Sequence, residues 1–195
     1  MAGRPRVPEL DAALTEATSS LLAEVGYAAT TVNVIAARAG VPKSTLYRRW
    51  SSKAELVFAT VVHGPVITVP DTGGFDTDLI ELSRRIVAAL DTERARLALP
   101  GLLADLQRDP ALRHRFHREV VGAQRALVQL VLDRAVDRGE LPEPVAATDA
   151  HAQLLGTAYA WTVLFSEPAP PDLAERMAAA AHSAVIRKDA DAPLS

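Results

Sequence analysis

The sequence predicts an all-α protein of about nine helices. Apolar residues recur with a 3.6-residue period in one stretch after another from residue 9 to about 187, and no pair of alternating, strand-like segments interrupts them. Composition points the same way, since Ala, Leu and Arg dominate while aromatics make up 5% of a chain of 195 residues that is 49% hydrophobic. Gly, Pro, Ser and Thr fall where such helices would start and stop.

Leu10, Ala13, Leu14, Ala17, Leu21, Leu22 and Val25 share one face of a first helix over about 9–25, with Gly26 at its C-cap. The Thr30-Thr31 hydroxyls open a short second helix carrying Val32, Ile35, Ala36 and Ala39, which Gly40 closes. Pro42 suits the first turn of a third helix, where a missing N–H costs nothing, and that helix continues to Trp50. Ser51-Ser52 caps a fourth, running from Lys53 towards His63. Helix breakers flank the β-branched run in Gly64–Gly74, so it reads as a connection, and the expected domains are 1–60 and 61–195. Five further helices are expected at about 76–91, 93–107, 110–138, 147–166 and 171–187. Pro100-Gly101 should kink or split the second of these, and Asp189 to Ser195 should fray.

Without cysteine the chain has no disulfide, zinc-thiolate site or thiol nucleophile. No stretch approaches 18 continuous apolar residues and no apolar run follows the basic N-terminus, so the expectation is a soluble, cytoplasmic protein with no membrane partner and no cofactor. The net charge of −3 hides an asymmetry: residues 1–53 hold seven basic and four acidic side chains, the remainder 14 and 20. Phosphate attraction is local, so a basic head can bind nucleic acid beside an acidic body.

Residues 32–51 have the spacing of a helix-turn-helix. Gly40 makes the turn, Ala36 lies four residues before it where only a small side chain lets two helices cross closely, and Ile35, Val41 and Leu46 form a small core. Lys43, Ser44, Thr45, Tyr47 and Arg48 then project outward, donors and an aromatic of the kind that meet phosphates and base edges. The bare spacing also fits an ordinary helical hairpin with a solvated face.

The run Thr30-Thr31-Val32-Asn33-Val34-Ile35-Ala36-Ala37-Arg38-Ala39-Gly40-Val41-Pro42-Lys43-Ser44-Thr45-Leu46-Tyr47-Arg48-Arg49-Trp50-Ser51-Ser52-Lys53-Ala54-Glu55-Leu56 closely resembles the DNA-binding signature of the TetR family. The resemblance is specific over about residues 8–60 and continues beyond them only as helix count and order. It implies that Thr31 binds a backbone phosphate at the start of helix two, that Lys43, Ser44 and Thr45 enter the major groove, and that Tyr47 lies against a phosphate or thymine methyl. Arg48 or Arg49 would flank them, and Lys53 would clamp another phosphate; Trp50 would pack as core. Ser44 stands where the family often has Gly or Ala. Arg4-Pro5-Arg6 resembles the core of a minor-groove AT-hook, the other reading being a disordered basic tail that attracts phosphates without reading sequence.

In the body, Phe116, Val120, Ala123, Leu127 and Leu130 form one stripe, read as the core face of a long central helix. The helix at 147–166 has two stripes, Leu154, Ala158, Trp161 and Phe165 beside Leu155, Tyr159 and Val163, and must be covered on both sides. The last helix repeats this pattern. Leu155, Tyr159, Val163, Leu173, Met177, Ala180, Ala181 and Ala184 are therefore the expected homodimer interface, with a monomer of thick core as the alternative. The resemblance implies a ligand pocket within about 76–138, lined by residues such as Leu103, Leu106, Phe116, Val120, Tyr159 and Trp161 and suited to a small apolar or aromatic effector. Together these readings imply a regulator, a repressor by family habit, that binds a near-palindromic double-stranded operator as a homodimer with recognition helices about 34–36 Å apart. Two alternatives come from other classes. His114 and His117 with Asp105, Asp109 and Glu119 suggest a metal-dependent enzyme, against which the surrounding Arg108, Arg113, Arg115 and Arg118 would repel a cation. A protein-binding adaptor is the other.

Overall fold

The computed structural model describes residues 8–59, 68–165 and 169–190, and all regular structure among them is helical. The elements are α1 (Pro8–Ala29), α2 (Val32–Arg38), α3 (Lys43–Tyr47), α4 (Lys53–Val57), α5 (Phe75–Leu90), α6 (Glu93–Arg108), α7 (Pro110–Phe116), α8 (Gly122–Asp137), α9 (Thr148–Tyr159) and α10 (Leu173–Ala190). Two π-helical turns continue the helices, His117–Val121 between α7 and α8 and Ala160–Leu164 after α9. Residues 8–59 gather with Thr92–Arg113 into one compact unit, and residues 68–91 with His114 onward form a second. The expected extension of α4 towards His63 and the connection up to residue 67 lie outside the described residues, as does the tail after Ala190.

In the first unit, Leu14, Leu21, Val32, Ile35, Ala36, Leu46, Trp50 and Leu56 close one core over α1–α4. α1 runs past the expected stop because Gly26 adopts φ 73, a left-handed conformation that costs glycine little, and the chain resumes helical hydrogen bonding to Ala29. The Thr30 hydroxyl donates to the Gly26 carbonyl at 2.8 Å and secures that bend. Behind α1 lies α6, where Leu22, Val57 and Ala98 form a second cluster with Tyr27 and Leu97.

Of the expected kink or split at Pro100-Gly101, the split does not occur: α6 runs as one helix from Glu93 to Arg108. An interior proline costs about 3 kcal/mol, whereas Leu99, Leu102 and Leu106 are all buried on one side of the helix, each worth about 1.5–3 kcal/mol. Burial holds the helix together. Gly101 has a different role: a Cβ there would stand 2.2 Å from the Tyr27 ring, so the aromatic seats directly on bare backbone.

The second unit packs α5, α8, α9 and α10 around Phe75, Leu79, Leu82, Val131, Leu132, Leu154 and Met177. Asp78 is fully buried and accepts from the Thr72 amide at 2.7 Å, the Thr72 hydroxyl at 2.8 Å and Arg138 at 3.1 Å. Glu140 accepts from the Phe75 amide at 2.7 Å, satisfying a free N–H at the start of α5.

The expected core stripe of the long helix is corrected. Phe116, Val120 and Leu127 are only half-buried and Ala123 and Leu130 are exposed, while Val128, Val131, Leu132 and Ala135 face the core. A π turn inserts a residue and rotates the downstream part of the helix by about 100°, so a phase counted forward from Phe116 faces the wrong way in α8. The same effect follows α9: Leu154 and Ala158 are buried, the next buried position is Thr162 instead of Trp161, and Phe165 is 54% exposed.

Candidate nucleic-acid interface

The turn between α2 and α3 is built by local chemistry. Gly40 adopts φ 66, its amide donates to Ala37 at 3.2 Å, and the Val41 amide reaches the Ala36 carbonyl at 3.0 Å, which together form a Schellman cap. Pro42 is the extended N-cap of α3. At the other end of α2, the Thr31 hydroxyl accepts from the Val34 amide at 3.3 Å and stays exposed. Ser52 caps α4 by accepting from the Glu55 amide at 3.2 Å, while the Glu55 carboxylate accepts from the Ser51 amide at 2.6 Å and the Ser51 hydroxyl at 2.7 Å.

α3 sits on Leu46, which is fully buried, and presents Lys43, Ser44, Tyr47 and Arg48 to solvent, with Thr45 half-buried beside them. Tyr47 is 54% exposed, high for a tyrosine. Neither Lys43 nor Arg48 has a carboxylate partner among the described residues. The face thus combines two cations, two hydroxyl-bearing side chains and an aromatic ring, suited to phosphates and base edges.

Arg49 and Lys53 occupy other surroundings. Arg49 pairs with Asp11 at 2.8 Å and lies 4.6 Å from the Trp50 ring centre, tying α3 to α1. The Lys53 ammonium donates to the Tyr27 carbonyl at 2.9 Å and stands 4.0 Å over the Tyr27 ring. Trp50 is core, at 9% exposure. Arg4 and Arg6 lie outside the described residues.

Two features escaped the sequence reading. Arg38 forms a two-pronged pair with Glu24, both bonds at 2.7 Å, and the guanidinium holds that carboxyl below its ordinary value. The Tyr27 phenol donates to Asp105 at 2.7 Å, and burial together with that carboxylate raises its pKa. Their partners are 14 and 78 positions away, beyond any spacing rule.

In the body, Leu155, Tyr159, Val163, Ala180 and Ala184 are half-buried. Leu173, Met177 and Ala181 are 2%, 0% and 0% exposed within the chain's own core, so the interface expectation is corrected for these three: they have no surface left to offer a partner. Of the expected pocket residues, Leu103 and Leu106 belong to the first unit, and Phe116, Val120, Tyr159 and Trp161, all half-buried, to the second. An open groove of about 610 Å³ between α5 and α10 is lined by Asp76, Ile80, Glu175, Ala178, His182 and Ile186, none of them expected there. His114 lies against the Arg118 guanidinium, and no group of three His, Asp or Glu gathers to hold a metal among the described residues.

Comparison with known proteins supports the same reading of the head. Residues 14–60 match the bacterial regulatory proteins of the tetR family, and residues 69–181 match the Tetracyclin repressor-like, C-terminal domain. An HTH-type transcriptional regulator of Mycobacterium bovis is 33% identical over 175 residues, covering 89% of this chain and 84% of that one. The DNA-binding transcriptional repressor TetR of Mycobacteroides abscessus is 34% identical over 150 residues, 74% of each chain. Among solved structures, the transcriptional regulator FadR from Bacillus subtilis, in complex with stearoyl-CoA, superposes with TM-score 0.65 at 17% identity over 89% of this chain and 97% of that one. The fatty acid degradation regulator FadR from Bacillus halodurans gives 0.65 at 16%, over 93% and 97%. With a capped helix-turn-helix in the head and both parts of the family matched along the chain, this protein belongs to the TetR family of transcriptional regulators.

Proposed function

We propose that the protein is a ligand-responsive repressor that acts in the cytoplasm, binding a near-palindromic operator as a homodimer and leaving it when a small apolar or aromatic effector occupies the body. The observation that carries this reading is the exposed face of α3, where Lys43, Ser44, Tyr47 and Arg48 stand over a buried Leu46 with no carboxylate among the described residues to neutralise them. Residues 1–60 form the operator-reading head in this reading and 61–195 the body. Thr31 and Thr45 add hydroxyls at the edges of the face, Arg4 and Arg6 add charge from the N-terminal arm, and Arg49 and Lys53 reach phosphates from positions where they also brace the head. No helix among the described residues is long and apolar enough to cross a membrane.

The half-buried residues Leu155, Tyr159 and Val163 of the α9 region and Ala180 and Ala184 of α10 supply the dimer contact, where small side chains let helices approach closely. The effector acts by binding one dimer shape more tightly than another. A relative that represses and a structural neighbour that holds an acyl-CoA agree with this reading.

A mobility-shift titration against the DNA upstream of the protein's own gene tests it. A sequence-selective shift that weakens steeply with salt is expected, with a mass in solution of twice the chain. If that DNA is shifted no better than unrelated DNA, the regulator reading is lost.

A further inference from the structure

In the second unit two buried polar atoms have no hydrogen-bond partner among the described residues. His151 on α9 is 5% exposed, and its Nε2 has no hydrogen-bond partner among the described residues. Arg125 on α8 has a buried Nε–H that is likewise unpartnered, and no carboxylate in the described residues pairs with its guanidinium. A buried donor left without an acceptor is costly to the fold. A fold that leaves both groups in one seam has reserved them.

The register shows that they share that seam. Gln129 locks α8 to the start of α9, donating to the Val145 carbonyl at 2.9 Å and accepting from the Ala147 amide at 3.0 Å. One turn back along α8 is Arg125 and one turn forward along α9 is His151, so the two side chains are placed on opposite walls one step beyond the lock. Burial and the guanidinium both push the imidazole below its ordinary pKa, which is consistent with close approach. Continuing the same way from Arg125 comes the π turn His117–Val121. Val120 and Val121 are half-buried, a stretch of apolar wall that the core does not fully cover. π turns are frequent at functional sites because they widen a helix locally.

We propose that Arg125 and His151 are the polar anchor of the effector site, binding the carboxylate of an organic acid whose apolar body lies along Val120 and Val121. The guanidinium Nε–H and the imidazole Nε2–H, in its donor tautomer, each donate to the carboxylate, which supplies Arg125 with a counter-ion that no carboxylate among the described residues provides. This rests on the ligand-responsive reading above and sharpens its effector to an acid.

The test uses the full-length protein with sodium acetate as the bare head group, sodium octanoate as head group plus chain, octanamide as the uncharged match, and sodium chloride at equal ionic strength. Melting temperature and the ring nitrogen resonances of His151 are followed. Acetate and octanoate should move the His151 resonances where chloride does not, and octanoate should raise the melting temperature by several degrees while octanamide leaves it within error. Arg125→Met should weaken octanoate binding at least tenfold; if that variant does not fold, Arg125→Lys, which keeps charge but loses the Nε–H, should weaken it partially. Equal stabilisation by octanamide, His151 resonances indifferent to acetate, or an unchanged octanoate response in a folded Arg125 variant each overturns the assignment. Operator binding measured without any acid separates the two readings: an intact shift with no acid response removes this inference alone, whereas acid binding without a shift removes the regulator and leaves the anchor.

Discussion

The two compact units use charge in opposite ways. The first carries Lys43 and Arg48 on the outside of a five-residue helix, where solvent and salt screen them until a polyanion arrives. The second folds polar groups inward, with Asp78 buried against Thr72 and Arg138, and His151 and the Arg125 Nε–H in the α8–α9 seam. An outward cation can wait at little cost, whereas an inward one must be paired by the fold or by something the fold receives. The first unit is accordingly suited to reading an extended phosphate surface, and the second to holding its own shape and one small molecule.

The largest expected effect attacks the inward charge. Asp78→Ala removes the acceptor for two Thr72 donors and a partner of Arg138, and should lower unfolding free energy by about 3 kcal/mol in a urea titration. A loss below 1 kcal/mol would mean that the buried network is incidental. On the outward side, Tyr47→Ala should weaken operator affinity by about 1–3 kcal/mol while stability stays within about 0.5 kcal/mol. Collapse of the fold instead would make Tyr47 a packing residue and blur the contrast between the units.

Gly101→Ala places a methyl group into the Tyr27 ring and should cost about 1–3 kcal/mol. Combining it with Tyr27→Ala should cost less than the sum of the two changes, because the clash is gone; strict additivity would show that the ring has another seat. The smallest effect concerns pH. His151 has a folded pKa below its ordinary 6.5, so the unfolded chain binds the proton more readily, and stability present above that value is lost as pH falls through 6.5 towards the folded pKa. His151→Gln should flatten this acid limb in melting curves taken from pH 7.5 to 5.0. An acid limb unchanged in that variant would place the proton uptake elsewhere.

The helix-turn-helix was legible because its instructions are local. Thr31, Gly40, Pro42 and Ser52 act on backbone groups three to five residues away, so their letters and spacing carry the geometry. The body was legible as helices but not as faces. Phe116, Val120 and Leu130 form a helical stripe on paper, but the π turn at His117–Val121 adds a residue, so Leu130 downstream of it faces away from where the count puts it. Leu173, Met177 and Ala181 read as an interface because apolarity on two sides of a helix does not say which side the chain will cover itself.

What the sequence by itself determined was the all-helical class, the capped head and the outward donors of α3, since those depend on propensity, capping and short-range spacing. Tertiary structure alone decided that Tyr27 would rest on Gly101 and bond Asp105, that Pro100 would be carried within an unbroken α6, and that the Arg125 Nε–H and His151 Nε2 would be buried without a hydrogen-bond partner among the described residues. The physical reason is distance along the chain: a cap reads neighbours already held close by the backbone, whereas a buried pair exists only once packing has chosen which faces meet.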